Sequence, residues 1–289
     1  VEFFALGAGR NPWTGKPTEP YPDSSPKVSL GYTALSTIWT EYIIDLKNKD
    51  LSYVIGGFGW VSNTSQNNNE DIIFYLDDIR YDKSQLEEPR FLPSYEAMPS
   101  SLDFDRIMKN VAFVYDNALA LLAFISRGTD EDWHRAKLIA DAFVYTQNHD
   151  RYFDDGRLRN AYQAGDLILF PGWKPHGKEN TVRMPGWWDP NSNQWYEDKF
   201  QVGTHTGNLG WAMIALLSYY EKKGGGKYLE AAIKMGEWIE RECRDDRGVG
   251  GYTGGYEGWE ETANNPEGQA KLLWKSTEHN IDVYVAFMK

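Results

Sequence analysis

Apolar and polar positions alternate with a period of two over the first third of the chain and shift to a period near 3.6 beyond residue 95. Residues 37–46 (Thr37-Ile38-Trp39-Thr40-Glu41-Tyr42-Ile43-Ile44-Asp45-Leu46), 54–61 and 72–81 are rich in β-branched and aromatic side chains. Polar turn material at 48–50 and 63–71 separates them. Such runs predict an antiparallel β unit. Three strong strands are few for a free-standing sandwich, because each sheet face needs an apolar cover. The unit is therefore expected to be part of a larger one. Upstream, Pro12, Pro17, Pro20, Pro22 and Pro26 predict an extended loop over 9–29.

After Pro89, Pro93 and Pro99 the apolar stripe Ile107, Val111, Val114, Ala118, Leu121, Leu122 and Ile125 predicts one long helix over 103–127, stopped by Gly128. Trp133 to Val144 predicts a second helix closing near Asn148. Leu209–Tyr220 and Tyr228–Cys243 predict a further pair around the turn Gly224-Gly225-Gly226, and a fifth helix begins near Thr277. Short connections alternate with long ones, as in helical hairpins set around a ring with tight turns on one rim and functional loops on the other. The domains are thus expected at 1–95, a partial β-sandwich with a Pro-rich segment, and 96–289, a helical-hairpin array. Leu119, Leu121, Leu122, Phe124, Ile125 and the nearly continuous apolar run 209–217 read as helices buried on more than one side. Their faces call for a second chain or further sequence to complete the core.

The formal charge of −12 opposes attraction to nucleic acid or to an anionic membrane. Twelve Trp and eighteen Tyr supply flat apolar faces with polar edges, which suit the C–H faces of sugar rings. The lone Cys243 excludes an intramolecular disulfide and reads as a small buried hydrophobe. No stretch reaches the roughly 20 apolar residues of a membrane span, and the first residues lack the order of a signal peptide; any such signal is expected to lie outside this sequence. No glycine run matches a phosphate-binding loop or a dinucleotide fingerprint, and no His spacing matches a catalytic zinc site. No cofactor or metal is expected, beyond a weak calcium reading at Asp77 and Asp78.

Candidate chemistry collects in the long loops and at helix starts. Glu278 and Asp282 are four apart, on one helix face with Cβ atoms about 5–6 Å from each other. Neighbouring carboxylates compete for charge, so one can retain a proton near neutrality, as a glycosidic acid must. Glu278 is the expected acid, with Asp282 tuning it. Asp116, a polar residue in an apolar helix, and Glu257 are candidates to activate water. His205 and His279 open apolar helices in matching positions and suit hydrogen bonding or proton carriage. Trp187, Trp188, Tyr256 and Trp259 are expected stacking platforms. Asp189, Glu260, Tyr162, Arg159 and Asn280 are the expected polar contacts. Arg157, Arg159 and Arg183 either recognise uronic carboxylates or brace acidic loops, which keeps a polysaccharide lyase open, with Tyr162, Tyr252, Tyr256 or His205 as its proton abstractor.

The strings Trp274-Lys275-Ser276-Thr277-Glu278-His279-Asn280-Ile281-Asp282, Tyr115-Asp116-Asn117-Ala118-Leu119-Ala120, Arg159-Asn160-Ala161-Tyr162 and Gly250-Gly251-Tyr252-Thr253-Gly254-Gly255-Tyr256 resemble bacterial proteins of the six-hairpin glycosidase superfamily. The resemblance spans roughly residues 35–289. It implies an (α/α)6 toroid preceded by a carbohydrate-binding-like β unit, acting on a polysaccharide or oligosaccharide outside the bacterial cytoplasm. It also implies that Asp116, His205 and Glu278 lie near the toroid mouth. The chain departs from that pattern in having too few helices to close the ring. The leading expectation is a glycoside hydrolase working through carboxylates. A lyase on uronic-acid glycans and a non-catalytic glycan-binding surface protein are the alternatives.

Overall fold

The computed structural model describes residues 1–6, 27–47, 49, 56–81, 88–97, 103–169, 174, 177–189, 191–258 and 269–289. Its contacts divide the chain into two units, Val1–Lys83 and Ser84–Lys289.

In the first unit β1 (Glu2–Ala5) lies between β2 (Val28–Tyr32) and β3 (Gly59–Val61), both antiparallel to it. Phe3 is buried and ringed by Tyr42, Phe58 and Phe74 at centroid distances of 5.4, 6.1 and 6.2 Å. Gly59 fits because a Cβ there would lie 2.6 Å from the Phe4 ring. This sheet differs from the expected one. Residues 37–46 and 72–81 carry no strand ladder, and Ile38, Trp39, Ile43, Ile73 and Tyr75 are 71–84% exposed. Alternation marks a segment able to pair, but pairing needs a neighbour, and here the ladder goes to residues 2–5. The described residues of this unit form one sheet and not a sandwich.

The second unit runs β4 (Arg90–Phe91), α1 (Asp103–Met108), β5 (Val111–Phe113), α2 (Val114–Arg127), α3 (Asp130–Asn148), β6 (Ala161–Gln163), β7 (Gly165–Asp166), β8 (Trp187–Asp189) and β9 (Gln194–Tyr196). It continues with β10 (Thr204–His205), α4 (Thr206–Lys223), α5 (Gly226–Cys243), β11 (Gly255–Glu257), β12 (Ala270–Leu272) and α6 (Thr277–Met288). Segment 88–95, expected with the β unit, belongs here. Phe91 packs on Phe143 and Tyr162 at 5.1 and 5.7 Å, and Leu92 exchanges backbone hydrogen bonds with the Asn117 side chain. The expected single helix over 103–127 is broken. Val111–Phe113 leave the helical path to pair with Ala161–Gln163, and the Asn110 side chain is held by the Gly186 backbone.

The other helix ends follow local rules. Gly128 closes α2 at φ 70 with its N–H on Phe124 O. Thr129 and Asp132 cap α3 reciprocally. Gly224 ends α4, and Ser276 caps α6. Helix α4 is the hub and packs against α2, α5 and α6, with α3 touching α2, α4 and α5. Leu209, Ala212, Met213, Ala215, Leu216 and Tyr219 are buried around much of its circumference. Each large apolar side chain so enclosed contributes about 1.5–3 kcal/mol. The helices do not close a ring among the described residues. On α6, Ile281, Tyr284, Val285, Phe287 and Met288 are exposed. No helix among the described residues is long and apolar enough to cross a membrane.

Candidate functional site

Three helix starts meet because short strands deliver them to one place. Strand β11 lies between β10 and β12, so that Gly255 sits opposite both His205 and Leu272. The chain leaving β10 enters α4 at His205, and the chain leaving β12 passes Trp274 into α6. Strand β5 delivers α2 to Asn160, whose carbonyl accepts the Val114 N–H at 2.9 Å. The buried Asn160 side chain then joins the parts. Its Oδ1 accepts from the His205 backbone N–H at 2.8 Å and from Asn208 Nδ2 at 2.7 Å, and its Nδ2 donates to Phe200 O at 2.7 Å.

At this junction two imidazoles approach an indole. The His205 and His279 rings are 6.1 Å apart between centroids, and Trp274 is 5.8 Å from His205 and 5.4 Å from His279. Phe200 closes against His205 edge-on at 4.9 Å. His279 is held by Thr206, whose hydroxyl lies 3.1 Å from Nδ1 and 3.0 Å from Thr253 O. A hydroxyl has one proton, and the carbonyl can only accept it. The neutral His279 ring therefore carries its proton on Nδ1 and presents a lone pair at Nε2. Gly207 gives the ring its seat: a Cβ there would lie 2.8 Å from Nε2 and 2.9 Å from Cγ.

Burial sets the charge states. His205, 8% exposed, is lowered to about 4 by loss of solvent and by the neighbouring His279. His279 is lowered by burial, against the pull of Glu278. Asp282, 7% exposed, is raised to about 6, first by burial and then by the Glu278 charge. The Trp211 indole lies near enough to oppose that rise without a well-formed bond, since Trp211 Nε1 and Asp282 Oδ2 are both buried with no partner in hydrogen-bond geometry. His205 Nε2, Thr204 Oγ1 and Thr253 Oγ1 are in the same position. So many unsatisfied buried polar atoms around one junction are costly and suit a site that receives polar groups.

Among the expected residues, His205, His279, Glu278 and Asp282 come together here. Glu278 is exposed at the first turn of α6, and Asp282 is the carboxyl whose proton affinity is raised, by burial first and then by the Glu278 charge. Asp116 is half-buried in the first turn of α2. Its neighbour Asn117 ties that turn to Leu92 and Phe113. Glu257 faces Lys199 at 3.8 Å.

Several expected ligand contacts are internal braces instead. Arg159 and Tyr162 are completely buried. Arg159 forks onto Asp150 at 2.5 and 2.8 Å, and Tyr162 Oη accepts the Arg159 N–H. Burial first, and then the Asp150 charge, hold the Tyr162 phenol above its ordinary range, which removes it as a proton abstractor. Asn280 accepts from the Tyr252 N–H and donates to Tyr252 O and Ser276 O. Arg157 is committed to Asp155, Gln269 and the Phe153 ring. Arg183 donates to Asp166 O. All three guanidinium groups thus make contacts within the protein, the bracing role of the two expected for them.

Trp187 stacks on Tyr196 at 6.0 Å within the β8–β9 hairpin. Trp188 is exposed, and Asp189 secures the turn through Asn191 N and Ser192 Oγ. No ring contact joins this hairpin to the histidines among the described residues. Tyr256 packs on Trp238 at 6.0 Å with its hydroxyl on Glu242. Trp259 and Glu260 lie outside the described residues. Those described form no group of three or more His, Cys, Asp or Glu side chains that could hold a metal ion.

Sequence reasoning missed Trp274, Thr206, Asn160, Trp211 and Gly207. Glycine in the first turn of an otherwise strong helix was the available signal for Gly207, since it marks a close neighbour. Nothing local distinguishes Asn160.

No family model matches the chain, and no curated protein does. Solved structures similar to it include cellobiose 2-epimerase from Spirochaeta thermophila DSM 6192 (18% identity, TM-score 0.36, covering 62% of this chain and 37% of that one). They also include cellobiose 2-epimerase from Bacillus thermoamylovorans B4167 (13%, TM-score 0.34, 62% and 37%) and a sugar epimerase from a ruminal bacterium (18%, TM-score 0.33, 63% and 40%). The match spans about two fifths of the length of those proteins.

Proposed function

We propose that the second unit carries the proton-transfer centre of a carbohydrate-acting enzyme, with His279 as base, His205 as its partner imidazole and Trp274 as the face against which a sugar ring rests. The observation that supports this is the convergence of two desolvated imidazoles from separate helix starts, 6.1 Å apart beside an indole. Imidazoles with lowered proton affinity are neutral at physiological pH and act as bases. The His279 Nε2 lone pair can take the proton from a carbon next to the carbonyl of an open-chain reducing sugar. The C–H electrons pass into an enediolate, and the imidazolium formed on His279, its proton exchanged with solvent, returns a proton to the opposite face once the enediolate has turned over, which inverts that carbon, leaves the imidazole neutral and consumes no water. Incubation with reducing mono- and oligosaccharides in deuterium oxide tests this. Exchange of one carbon-bound hydrogen is expected, and saccharides left unlabelled and uncleaved would support the non-catalytic glycan-binding alternative.

A second reading, hydrolysis, is favoured by Asp282, whose raised proton affinity suits a glycosidic acid. It ranks lower because Glu278 shares the helix face of Asp282 and cannot face it across a sugar, and of the candidates to activate water Glu257 is turned to Lys199. New reducing ends, lost in Asp282→Asn, would promote it.

A further inference from the structure

The glycine-rich loop after α5 does not open toward a ligand; it closes on an ammonium. Lys275 Nζ donates to Asp245 O at 2.9 Å, Arg247 O at 2.7 Å and Gly250 O at 3.0 Å, which uses all three of its protons on backbone carbonyls. The Asp245 carboxylate adds charge at 3.7 Å. The loop is shaped for this: Gly248 and Gly250 have φ 65 and 76, a left-handed conformation that points carbonyls inward at low cost. Asp245 N–H closes it on Gly251 O. Gly251 is pinned at the other side, where a Cβ would lie 2.6 Å from Asn280 Oδ1.

Lys275 sits between Trp274 and the α6 cap Ser276. The same loop reaches the site at two further points. Gly254 N–H donates to Trp274 O at 2.9 Å, and a Cβ on Gly254 would lie 2.5–2.7 Å from the Trp274 ring. Thr253 O receives the Thr206 proton that fixes the His279 tautomer. Charge, loop and tautomer are thus in series.

We propose that Lys275 is a positioning residue for the histidine site: its ammonium is an internal cation that fills a carbonyl cage and thereby fixes Trp274 and the Nδ1–H form of His279. This deepens the proposed function by naming what holds that site. A corollary is that Lys275→Ala leaves a cage of three carbonyls and one carboxylate able to accept a small ammonium ion from solution.

The test is nitrogen NMR of the histidines at alkaline pH, because free imidazole prefers the Nε2–H form and His279 is held in the other. The wild-type spectrum should show His279 in the Nδ1–H form beside His149, whose Nδ1 donates to Tyr145 O at 2.7 Å, the His279 signal being the one lost in His279→Gln. Lys275→Ala should shift that ring toward Nε2–H, and methylammonium should restore it while tetramethylammonium, which has no N–H, should not. An unchanged tautomer in Lys275→Ala overturns the proposal, as does equal rescue by both ions. If Lys275→Ala does not fold, Lys275→Met, which keeps most of the stem and brings neither charge nor N–H donor to the carbonyls, gives the same readout. Turnover plays no part, so failure here leaves the saccharide reading intact, and failure of turnover leaves the cage intact.

Discussion

Replacing Gly207 by alanine sets two well-known effects against each other, and the site geometry decides the winner. Alanine is favoured over glycine in a helix by up to about 1 kcal/mol, less in the first turn of α4, where Gly207 sits. Against this, the new Cβ would stand 2.8 Å from His279 Nε2 and 2.9 Å from Cγ, where ordinary contact begins at 3.4 Å. His279 Cδ2 is nearer still, so the ring must retreat by about 1 Å. It is held by Thr206 on one side and Trp274 on the other. Overpacking of this kind costs about 1–3 kcal/mol, and a first-turn helix gain of about half a kcal/mol offsets part of it, so Gly207→Ala should be destabilising by roughly 0.5–2.5 kcal/mol. Gly226→Ala is the control: Gly226 begins α5 with nothing within 4 Å of the added carbon, so it should be neutral or slightly stabilising. Urea unfolding followed by far-ultraviolet circular dichroism, which reports the helical unit, measures both. In a His279→Ala background the obstacle is gone, and the cost of Gly207→Ala should vanish. A Gly207→Ala protein as stable as the Gly226→Ala control, or an undiminished cost without the ring, would refute the packing of His279 on Gly207.

Further outcomes follow from the same geometry. Asp282 has a folded-state proton affinity raised from 3.8 to about 6, so it penalises the fold as pH rises from about 4 through 6 and not below. Asp282→Asn should flatten that part of the stability-versus-pH curve by on the order of 1–2 kcal/mol after solvent screening, and Glu278→Gln should lower the Asp282 midpoint, both readable by NMR titration. His205 has the opposite linkage: lowered from 6.5 to about 4, it costs stability as pH falls through that window, and His205→Gln should remove the loss in acid unfolding curves. Arg159→Met leaves Asp150 buried and unpaired and should cost about 3–5 kcal/mol, appearing as lost folding in circular dichroism and not as weakened saccharide binding by a folded protein. Asn160→Ala strips the His205 N–H and the Phe200 carbonyl of partners and should cost about 2–4 kcal/mol by urea unfolding.

The helices α2 to α6 were legible because their apolar stripes are long, and Gly128, Thr129 and Gly224 mark ends by local chemistry. The break at 109–113 was not, since Ile107, Val111 and Val114 keep the helical period across it. What removes Val111–Phe113 from the helix is pairing with residues 161–163, a long-range event. In the first unit, 37–46 and 72–81 have strand texture without a ladder, whereas Phe3, the buried centre of the observed sheet, sits in too short a run to stand out. At the site, matching positions at two helix starts singled out His205 and His279. The raised proton affinity of Asp282 depends on α4 covering it, where a Cβ on Gly210 would lie 3.0 Å from the Asp282 Cβ, and no feature of residues 277–282 encodes that. Arg159 and Tyr162 looked like ligand contacts because charge and aromaticity are the same in a brace as in a binding site.

The most direct measurement compares wild type, His279→Gln and Lys275→Ala incubated in deuterium oxide with a panel of reducing disaccharides, read by proton NMR and mass. Wild type is expected to add one mass unit at a single carbon beside the reducing carbonyl, His279→Gln to add none, and Lys275→Ala to label more slowly. Labelling by His279→Gln at the wild-type rate, or sugars that come back from wild type unlabelled, would contradict an imidazole-based proton transfer at this junction.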